Sequence, residues 1–248
     1  MNDSRLNGSS GDSNTIPKNI ALSIRNTFRH ATALARIKPS FFIVGAQKAG
    51  TTSLSAWLSQ HPVVARPFSK EVHFFDDGLS SAENTYAKGA LWYRSHFPLR
   101  SMFSQKLITF EASPSYMFDS VALARLKTFC PRAKILIMLR DPTARAISHY
   151  FHSKKYGLEH RDIEEAMSEE RIISESDYSN GRYDRHQYIH HSYKARGLYA
   201  RQLSRVFEHF DKEQVAIYSA ELLFEKPEKV MSEIFSFLEL NPNSSTVD

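Results

Sequence analysis

A glycine-bracketed loop with a lysine inside it is the strongest chemical signal in the sequence. It occurs within the stretch FFIVGAQKAGTTSLSAWL, residues 41–58, where Gly45 and Gly50 enclose four residues. A Walker A phosphate loop has the same glycine spacing but places its lysine directly after the second glycine. Here Thr51 takes that position, and the lysine, Lys48, stands two residues before Gly50. The loop therefore has the parts of a phosphate-binding loop, with its cation in a different place.

The loop suits an anion for two physical reasons. Glycines let the backbone turn tightly, so that successive N–H groups can face one anion. Thr51, Thr52 and Ser53 then open a helix, whose dipole and unpaired N–H groups favour negative charge. Glycine at a strand end and threonine at a helix cap are also ordinary turn chemistry, but that interpretation does not account for Lys48. We therefore interpret the loop as an anion site.

A second candidate is the stretch MLRDPTARAISHY, residues 138–150. Arg140 follows an apolar run, and Asp141-Pro142 is predicted to start a helix, because proline is favoured at the first helical position. Ser148 lies eight residues after Arg140, a little over two turns along that helix. Arg140 and Ser148 could face one phosphate with a charged fork and a hydroxyl. An arginine beside an aspartate is also a common structural ion pair, so this motif gains its weight from the first loop.

The third candidate is the stretch PFSKEVHFFDD, residues 67–77. Glu71 and His73 alternate with apolar residues, and Asp76 follows. A carboxylate held among aromatic rings has its pKa raised by desolvation, which suits a general base. An ordinary surface glutamate is the simpler interpretation of these residues taken alone.

Short apolar runs alternate with helical stretches and must position these motifs. The predicted strands are residues 41–44, 63–65, 107–110, 134–139 and 214–218. The predicted helices are residues 52–60, 120–129, 143–154, 191–210 and 227–238. This alternation predicts an α/β fold, a single P-loop-like domain with a central parallel sheet and helices on both faces. Ligands bind outside the carboxyl ends of such strands, and three of the predicted strands carry polar residues there.

Composition limits the class of protein. The 248 residues carry a formal charge of +5, with 42% hydrophobic and 24% charged residues, as in an ordinary globular domain. We expect a flexible segment over residues 1–38, with a possible helix at 20–37, followed by one domain over 39–248. The basic residues are dispersed among acids, which disfavours nucleic-acid binding.

Cysteine and histidine usage argues against metal and disulfide chemistry. The single cysteine, Cys130, excludes an intrachain disulfide and a cysteine zinc cluster. The pairs His149 with His152, and His190 with His191, have no third ligand at a recognised spacing, so no metal site is predicted. The histidines of the first pair are expected to line a helix face near the ligand or to pack on the sheet.

The sequence also gives an expectation about location. It contains no apolar stretch near the roughly 18–20 residues that span a membrane, and its N-terminus lacks the pattern of a signal peptide. We expect a cytoplasmic protein without stable membrane insertion. A Golgi or secretory compartment is the alternative if a targeting segment is missing from this chain.

Taken together, the three motifs resemble those of the PAPS-dependent sulfotransferases. The resemblance is greatest to the heparan sulfate and related carbohydrate branch, including the 3-O-sulfotransferases, and to its bacterial relatives. QKAGTTSL resembles the loop for the 5′-phosphosulfate, LRDPTARAISHY the 3′-phosphate motif, and KEVHFFD the segment with the catalytic glutamate. EASPSYMF, RGLYARQLSRVFEHF and AELLFEKPEKVMSEIFSFLEL are similar to further family segments, so the resemblance spans about residues 40–240.

The resemblance implies transfer of a sulfo group from PAPS (3′-phosphoadenosine 5′-phosphosulfate) to a hydroxyl or amine of an acceptor. A carbohydrate is the first expectation for that acceptor, and no metal is required. Glu71 would act as the base, Lys48 would stabilise the departing phosphate oxygen, and His73 would support Glu71. Lys70 and Asp76 would lie on the acceptor side. The residues implied to bind the donor are Lys48, Ala49, Gly50, Thr51, Thr52, Ser53, Arg140 and Ser148.

Two departures from the family pattern keep other interpretations open. Ala112 stands where the family motif usually has a lysine, and the chain stops before the basic, glycine-containing segment with which family members continue. One alternative is therefore a PAPS-binding fragment with little activity. Another is a P-loop kinase or NTPase, although Thr51 and the lack of a clear magnesium aspartate disfavour it. The sequence predicts no oligomeric state.

Overall fold

The architecture is a parallel sheet with helical connections. The computed structural model describes residues 18–79, 83–100, 107–170, 177, 180–181 and 183–241. Five strands form one sheet in the order β2-β3-β1-β4-β5, and every neighbouring pair is parallel. The strands are β1 (Phe41–Gly45), β2 (Val64–Ala65), β3 (Ile108–Ala112), β4 (Lys134–Leu139) and β5 (Val215–Ser219). The predicted α/β fold is confirmed.

Helices connect and flank the strands. In the part of the chain that the structure describes, the first five are α1 (Lys18–Ala31), α2 (Thr51–Leu58), α3 (Gly89–Arg94), α4 (Ala122–Phe129) and α5 (Pro142–Lys155). The following ones are α6 (Ile163–Ser168), α7 (Arg185–His190), α8 (Tyr199–His209), α9 (Ala220–Glu225) and α10 (Pro227–Phe237).

The central strands are buried on both faces. All five residues of β1 are buried, as are the four residues from Ile135 to Met138 in β4. Because successive side chains of a strand point to opposite faces, this burial shows that both faces of the sheet are covered. It also explains why these segments read as unbroken apolar runs.

The strand order brings the loops after β1, β3 and β4 to one edge of the sheet. β1 lies between β3 and β4, so the loops that follow these three strands meet at their carboxyl ends. The Ala46 N–H donates to Met138 O at 2.6 Å, and the Met117 N–H donates to Val44 O at 2.9 Å. These bonds connect the loop after β1 to β4 and to the turn after β3.

The helix predicted over residues 191–210 is wrong for its first eight residues. The helix begins only at Tyr199, and residues 191–198 contain a short 3-10 turn at Ala195–Gly197. Tertiary contacts override local helix propensity here. The Tyr193 hydroxyl donates to Glu159, and a Cβ placed on Gly197 would lie 3.1 Å from Pro142 Cβ, so the chain passes closely over the start of α5.

The helix predicted over residues 20–37 exists but ends earlier, at Ala31. The buried side chain of Arg36 folds back onto its end, donating to Arg29 O at 3.0 Å and to Thr32 Oγ1 at 2.7 Å. These bonds satisfy acceptors at the C-terminal end of the helix. The remainder of the segment expected to be flexible, residues 1–17, lies outside the described residues.

Candidate active site

The loop after β1 presents backbone N–H groups at the start of α2. Gly50 has φ of 81° and is the N-cap of this helix, with no side-chain cap bond. The N–H groups of Thr51, Thr52 and Ser53 belong to the first turn and lack intrahelical acceptors. A Cβ on Gly45 would lie 2.8 Å from Met117 Cβ, so the close passage of the turn after β3 requires glycine there. These features give the loop the shape of a cradle, with backbone N–H groups that are suited to an anion.

Positive charge is concentrated at this cradle. Burial lowers the pKa of Lys48, and the nearby charges of Lys70 and Arg140 lower it further. The Arg140 guanidinium also donates to Lys48 O at 3.3 Å, which holds the end of β4 against the loop. A cation whose pKa is lowered by neighbouring positive charges is stabilised by an anion bound beside it.

Helix α5 borders the same loop. Asp141 caps it, accepting from the Ala144 N–H at 2.7 Å, and Pro142 takes the first position, as predicted. Ser148 lies half-buried on this helix, and no hydrogen bond between described residues joins it to Arg140. The structure thus places Ser148 on the expected helix without showing a shared site.

The two histidines of α5 have different surroundings. His149 is buried and packs edge-on against Tyr193, and its pKa is lowered by burial first and then by nearby arginines. The pKa of His152 is lowered by burial and by the charge of Lys48, while the charge of Glu71 opposes this. The His152 ring itself packs against the ring of Tyr156. The described residues contain no group of three potential metal ligands.

The segment after β2 forms a chain of charged side chains. Glu71 Oε2 lies 3.2 Å from His73 Nε2, and His73 Nδ1 lies 2.8 Å from Asp76 Oδ2. The Ser115 hydroxyl donates to the same Asp76 oxygen. His73 and Asp76 are buried, whereas Glu71 remains about a third exposed. An imidazolium between two carboxylates keeps both in fixed orientations.

The pKa of Glu71 contradicts the predicted raised basicity. Burial raises this pKa, but hydrogen bonds from His73 and Lys70 and their positive charges outweigh it and hold the pKa at about 2. Burial lowers the pKa of His73, but its hydrogen bonds to Asp76 and Glu71 raise it to about 10. The prediction considered the aromatic neighbours and left out the two cations that surround the carboxylate.

A buried carboxylate supports this segment through hydroxyl groups that lie between the two. Glu111 at the end of β3 accepts hydrogen bonds from the hydroxyls of Tyr93, Ser113 and Tyr116. Two of these hydroxyl groups also bind the site backbone, because the Phe74 N–H donates to Tyr116 Oη and the His73 N–H donates to Ser113 Oγ. Complete burial raises the pKa of Glu111. The sequence argument missed this role, although EASPSY was among the segments it singled out.

A single lysine joins the two halves of the site. Lys70 Nζ lies 2.8 Å from Thr52 Oγ1 on the anion loop and 2.8 Å from Glu71 Oε1. The structure therefore brings Lys48, Thr52, Lys70 and Glu71 into one region. Beside Glu71 lies a cavity of about 250 Å³, whose lining includes His73, Thr85, Lys88, Trp92 and His96.

Ala112 is fully buried at the end of β3, where the family motif usually carries a lysine.

Among the described residues, no helix is long and apolar enough to cross a membrane.

The fold and this site define a class of protein, a parallel α/β protein with a glycine-bracketed loop and lysine beside an ionised carboxylate. The sequence model of the sulfotransferase domain family matches residues 38–248. The chain belongs to this family, and the resemblance seen in the sequence is confirmed.

Individual relatives agree with this assignment. Heparan sulfate glucosamine 3-O-sulfotransferase 5 of Mus musculus is 31% identical over 216 residues, which are 87% of this chain and 58% of that protein. The bifunctional heparan sulfate N-deacetylase/N-sulfotransferase 1 of Caenorhabditis briggsae is 30% identical over 82% of this chain and 23% of its own length. The chain thus spans less than two thirds of these relatives.

A solved structure resembles this chain over most of the length of both. The crystal structure of a sulfotransferase from Alicyclobacillus acidocaldarius is 31% identical and has a TM-score of 0.66. The similarity covers 84% of this chain and 83% of that one. This similarity over most of both chains agrees with a sulfotransferase fold for the sheet and its connections.

Proposed function

We propose that this protein transfers a sulfo group from PAPS to a hydroxyl or amine of a carbohydrate acceptor, with Glu71 as the general base. The observation that carries the proposal is the placement of Lys70 between Thr52 and Glu71. This placement sets an anion loop beside an ionised carboxylate. The heparan sulfate relatives support a carbohydrate acceptor.

The residues present fit the donor. PAPS supplies an activated sulfo group and carries two phosphate groups, which need several hydrogen-bond donors and positive charges. Unpaired N–H groups of Thr51, Thr52 and Ser53 and the backbone turn through Ala49 and Gly50 would hold the 5′-phosphate. Arg140 and Ser148 would hold the 3′-phosphate. Lys48 Nζ would meet the negative charge that collects on the leaving oxygen.

The acceptor half of the site contains the group that would take up the proton of the acceptor. Glu71 would take the proton of the attacking hydroxyl or amine, and it is fully ionised at neutral pH because its pKa is about 2. His73, protonated between two carboxylates, would hold the Glu71 carboxylate in orientation, and Asp76 would hold His73. Lys70 lies where it can also contact an anionic acceptor.

Two measurements test the proposal. Calorimetric titration with 3′,5′-adenosine diphosphate should give saturable binding that EDTA does not change. Radiolabelled transfer from PAPS to a panel of glycans, lipids and small alcohols should show transfer to at least one carbohydrate. Absence of nucleotide binding, or magnesium-dependent ATP hydrolysis, would contradict the proposal.

A further inference from the structure

Two arginines from distant parts of the chain hold the backbone of the turn that carries Asp76. Arg185, the first residue of α7, donates through Nη2 to Asp76 O at 2.5 Å and to Gly78 O at 2.8 Å. Arg125 of α4 donates through Nη1 to Phe75 O at 2.8 Å. Three carbonyl groups within four residues therefore accept from arginine side chains, and two of these bonds come from Arg185.

The turn depends on such support because its backbone conformation is not favoured locally. Asp77 has φ of 60° and Gly78 has φ of 86°, and the left-handed region is unfavourable for a residue with a side chain. Within the turn, the Gly78 N–H donates to His73 O at 3.1 Å. The Asp77 carboxylate forms an ion pair with Arg125 at 2.9 Å. Bonds from outside the turn therefore help to fix the direction in which Asp76 points.

Asp76 links this support to the charged segment. Its carbonyl oxygen accepts from Arg185, whereas its carboxylate lies 2.8 Å from His73 Nδ1. The Ser115 hydroxyl donates to the same carboxylate oxygen. His73 Nε2 in turn lies 3.2 Å from Glu71 Oε2. A continuous series of contacts therefore runs from the guanidinium group of Arg185 to the carboxylate proposed as the base.

Helix α7 gives Arg185 a fixed support. The buried Tyr188 of this helix donates through its hydroxyl to Phe118 O at 3.1 Å. At the other end of the helix, His190 O accepts from Ser153 Oγ of α5 at 2.9 Å. A side chain on a packed helix is held more precisely than one on a loop. Arg185 can therefore transmit the position of α7 to the turn.

We propose that Arg185 is a positioning residue for sulfo transfer, which fixes Asp76 and through it the orientation of His73 and Glu71. This inference rests on the proposed function, because that function gives Glu71 its task as base. Arg185 acts through the backbone of Asp76 and takes no part in the chemical step. Its loss leaves the acceptor half of the site present but misaligned.

Four variants separate positioning from general structural support. Arg185→Met removes the donors and keeps an apolar side chain, whereas Arg185→Lys keeps a positively charged donor. Arg125→Met removes a bond to the same turn but leaves the bond to Asp76 O in place. Arg132→Met, at an exposed position just before β4, controls for the loss of one positive charge. Thermal unfolding checks that each variant is folded.

The first readout is the rate of labelled-sulfate transfer. Arg185→Met should lower kcat about 10- to 100-fold, because a small displacement of a catalytic group has an effect of this size. Arg185→Lys should recover part of this loss, and Arg132→Met should keep the wild-type rate. The KM for PAPS should be the same in all of these proteins, because the contacts of Arg185 with the turn lie in the acceptor half.

The second readout is the titration of the His73 ring, followed by NMR in the protein without PAPS. Burial lowers the pKa of His73, but its hydrogen bonds to Asp76 and Glu71 raise it to about 10. A misplaced Asp76 should lower the midpoint by about one pH unit or more in Arg185→Met. Loss of a positive charge alone would raise it, so the sign of the change separates the two causes. The other titratable groups that line the cavity beside the ring stay the same in every variant; they are Glu71, Glu83, Lys88 and His96.

Two results would overturn the inference. One is an unchanged or raised His73 midpoint in Arg185→Met, whatever the rate of that variant. The other is an equal fall of the midpoint in Arg185→Met and Arg125→Met, which would show that the turn responds to any lost support. Failure of the proposed function is distinguishable, because the midpoint would still fall in Arg185→Met alone while no protein, wild type included, transferred sulfate.

Discussion

The anion loop at residues 45–53 and the charged segment at residues 70–76 lie side by side but are built differently. The loop presents backbone N–H groups, and its glycines and the helix start fix their directions. The segment acts through side chains, each held by the next, from Glu71 through His73 to Asp76. A backbone site tolerates changes of side chain, whereas a chain of ion pairs fails when one member is lost. The two halves should therefore respond differently to substitution.

The largest expected effect comes from Glu71→Gln on the charged segment. Glutamine keeps the size of the side chain but cannot accept the acceptor proton, so kcat should fall by about 10²–10⁴. The Kd for 3′,5′-adenosine diphosphate should not rise, because glutamine no longer competes with a bound anion for the charge of Lys70. Labelled-sulfate transfer and titration calorimetry measure the two quantities. Full activity in this variant would remove Glu71 from the mechanism.

Lys48→Ala tests the charged side chain within the loop. Loss of a charge-stabilising donor should lower kcat by about 10²–10³. Lys229→Ala, at an exposed position on α10, is the matched control and should retain the wild-type rate. If both variants had the same rate, the backbone N–H groups alone would account for the function of the loop. The contrast with the side chains of the charged segment would then be greater.

Glu111→Gln tests the support beneath the charged segment. An amide cannot accept three hydroxyl hydrogen bonds as a carboxylate does, so the free energy of unfolding should fall by about 1–3 kcal/mol. Urea denaturation measures this change. Glu208→Gln, exposed on α8, should change stability by less than about 0.5 kcal/mol. Equal stabilities of the two variants would contradict a supporting role for Glu111.

The pH dependence of stability gives the smallest effect. Because the folded pKa of His73 is raised to about 10, its contribution is complete below pH 6.5 and is lost as the pH rises through about 10. Glu71 contributes above pH 4.5, and this contribution is lost as the pH falls towards 2. The difference in unfolding free energy between wild type and His73→Gln should shrink by about 1–2 kcal/mol from pH 6 to pH 10. A constant difference would show that His73 is neutral in the fold.

The sequence predicts the framework well because the framework depends on local patterns. Apolar runs mark all five strands to within two residues, and Asp141-Pro142 marks the start of α5. The anion loop is recognisable because glycines and a lysine occur together within a few residues. These are signals that one segment carries by itself.

The remaining features depend on residues distant in the chain. Glu111 accepts hydrogen bonds from the hydroxyl groups of Tyr93 and Tyr116, and no local sequence pattern marks these three residues as partners. The low pKa of Glu71 depends on cations whose positions only the folded loop sets. The early end of α1 depends on Arg36 folding back. Roles of individual site residues stay predictions until the substitutions are made.

The position of Lys70 between Thr52 and Glu71 has a consequence for the order of events. Any anion that draws the Lys70 ammonium group towards the loop takes a hydrogen bond and a positive charge from Glu71. The pKa of Glu71 then rises, because those interactions are among the causes that hold it at about 2. The carboxylate is thus weakest as a proton acceptor in the empty protein and becomes stronger once an anion is in place. The Lys70 ammonium group therefore couples anion binding at the loop to the basicity of Glu71.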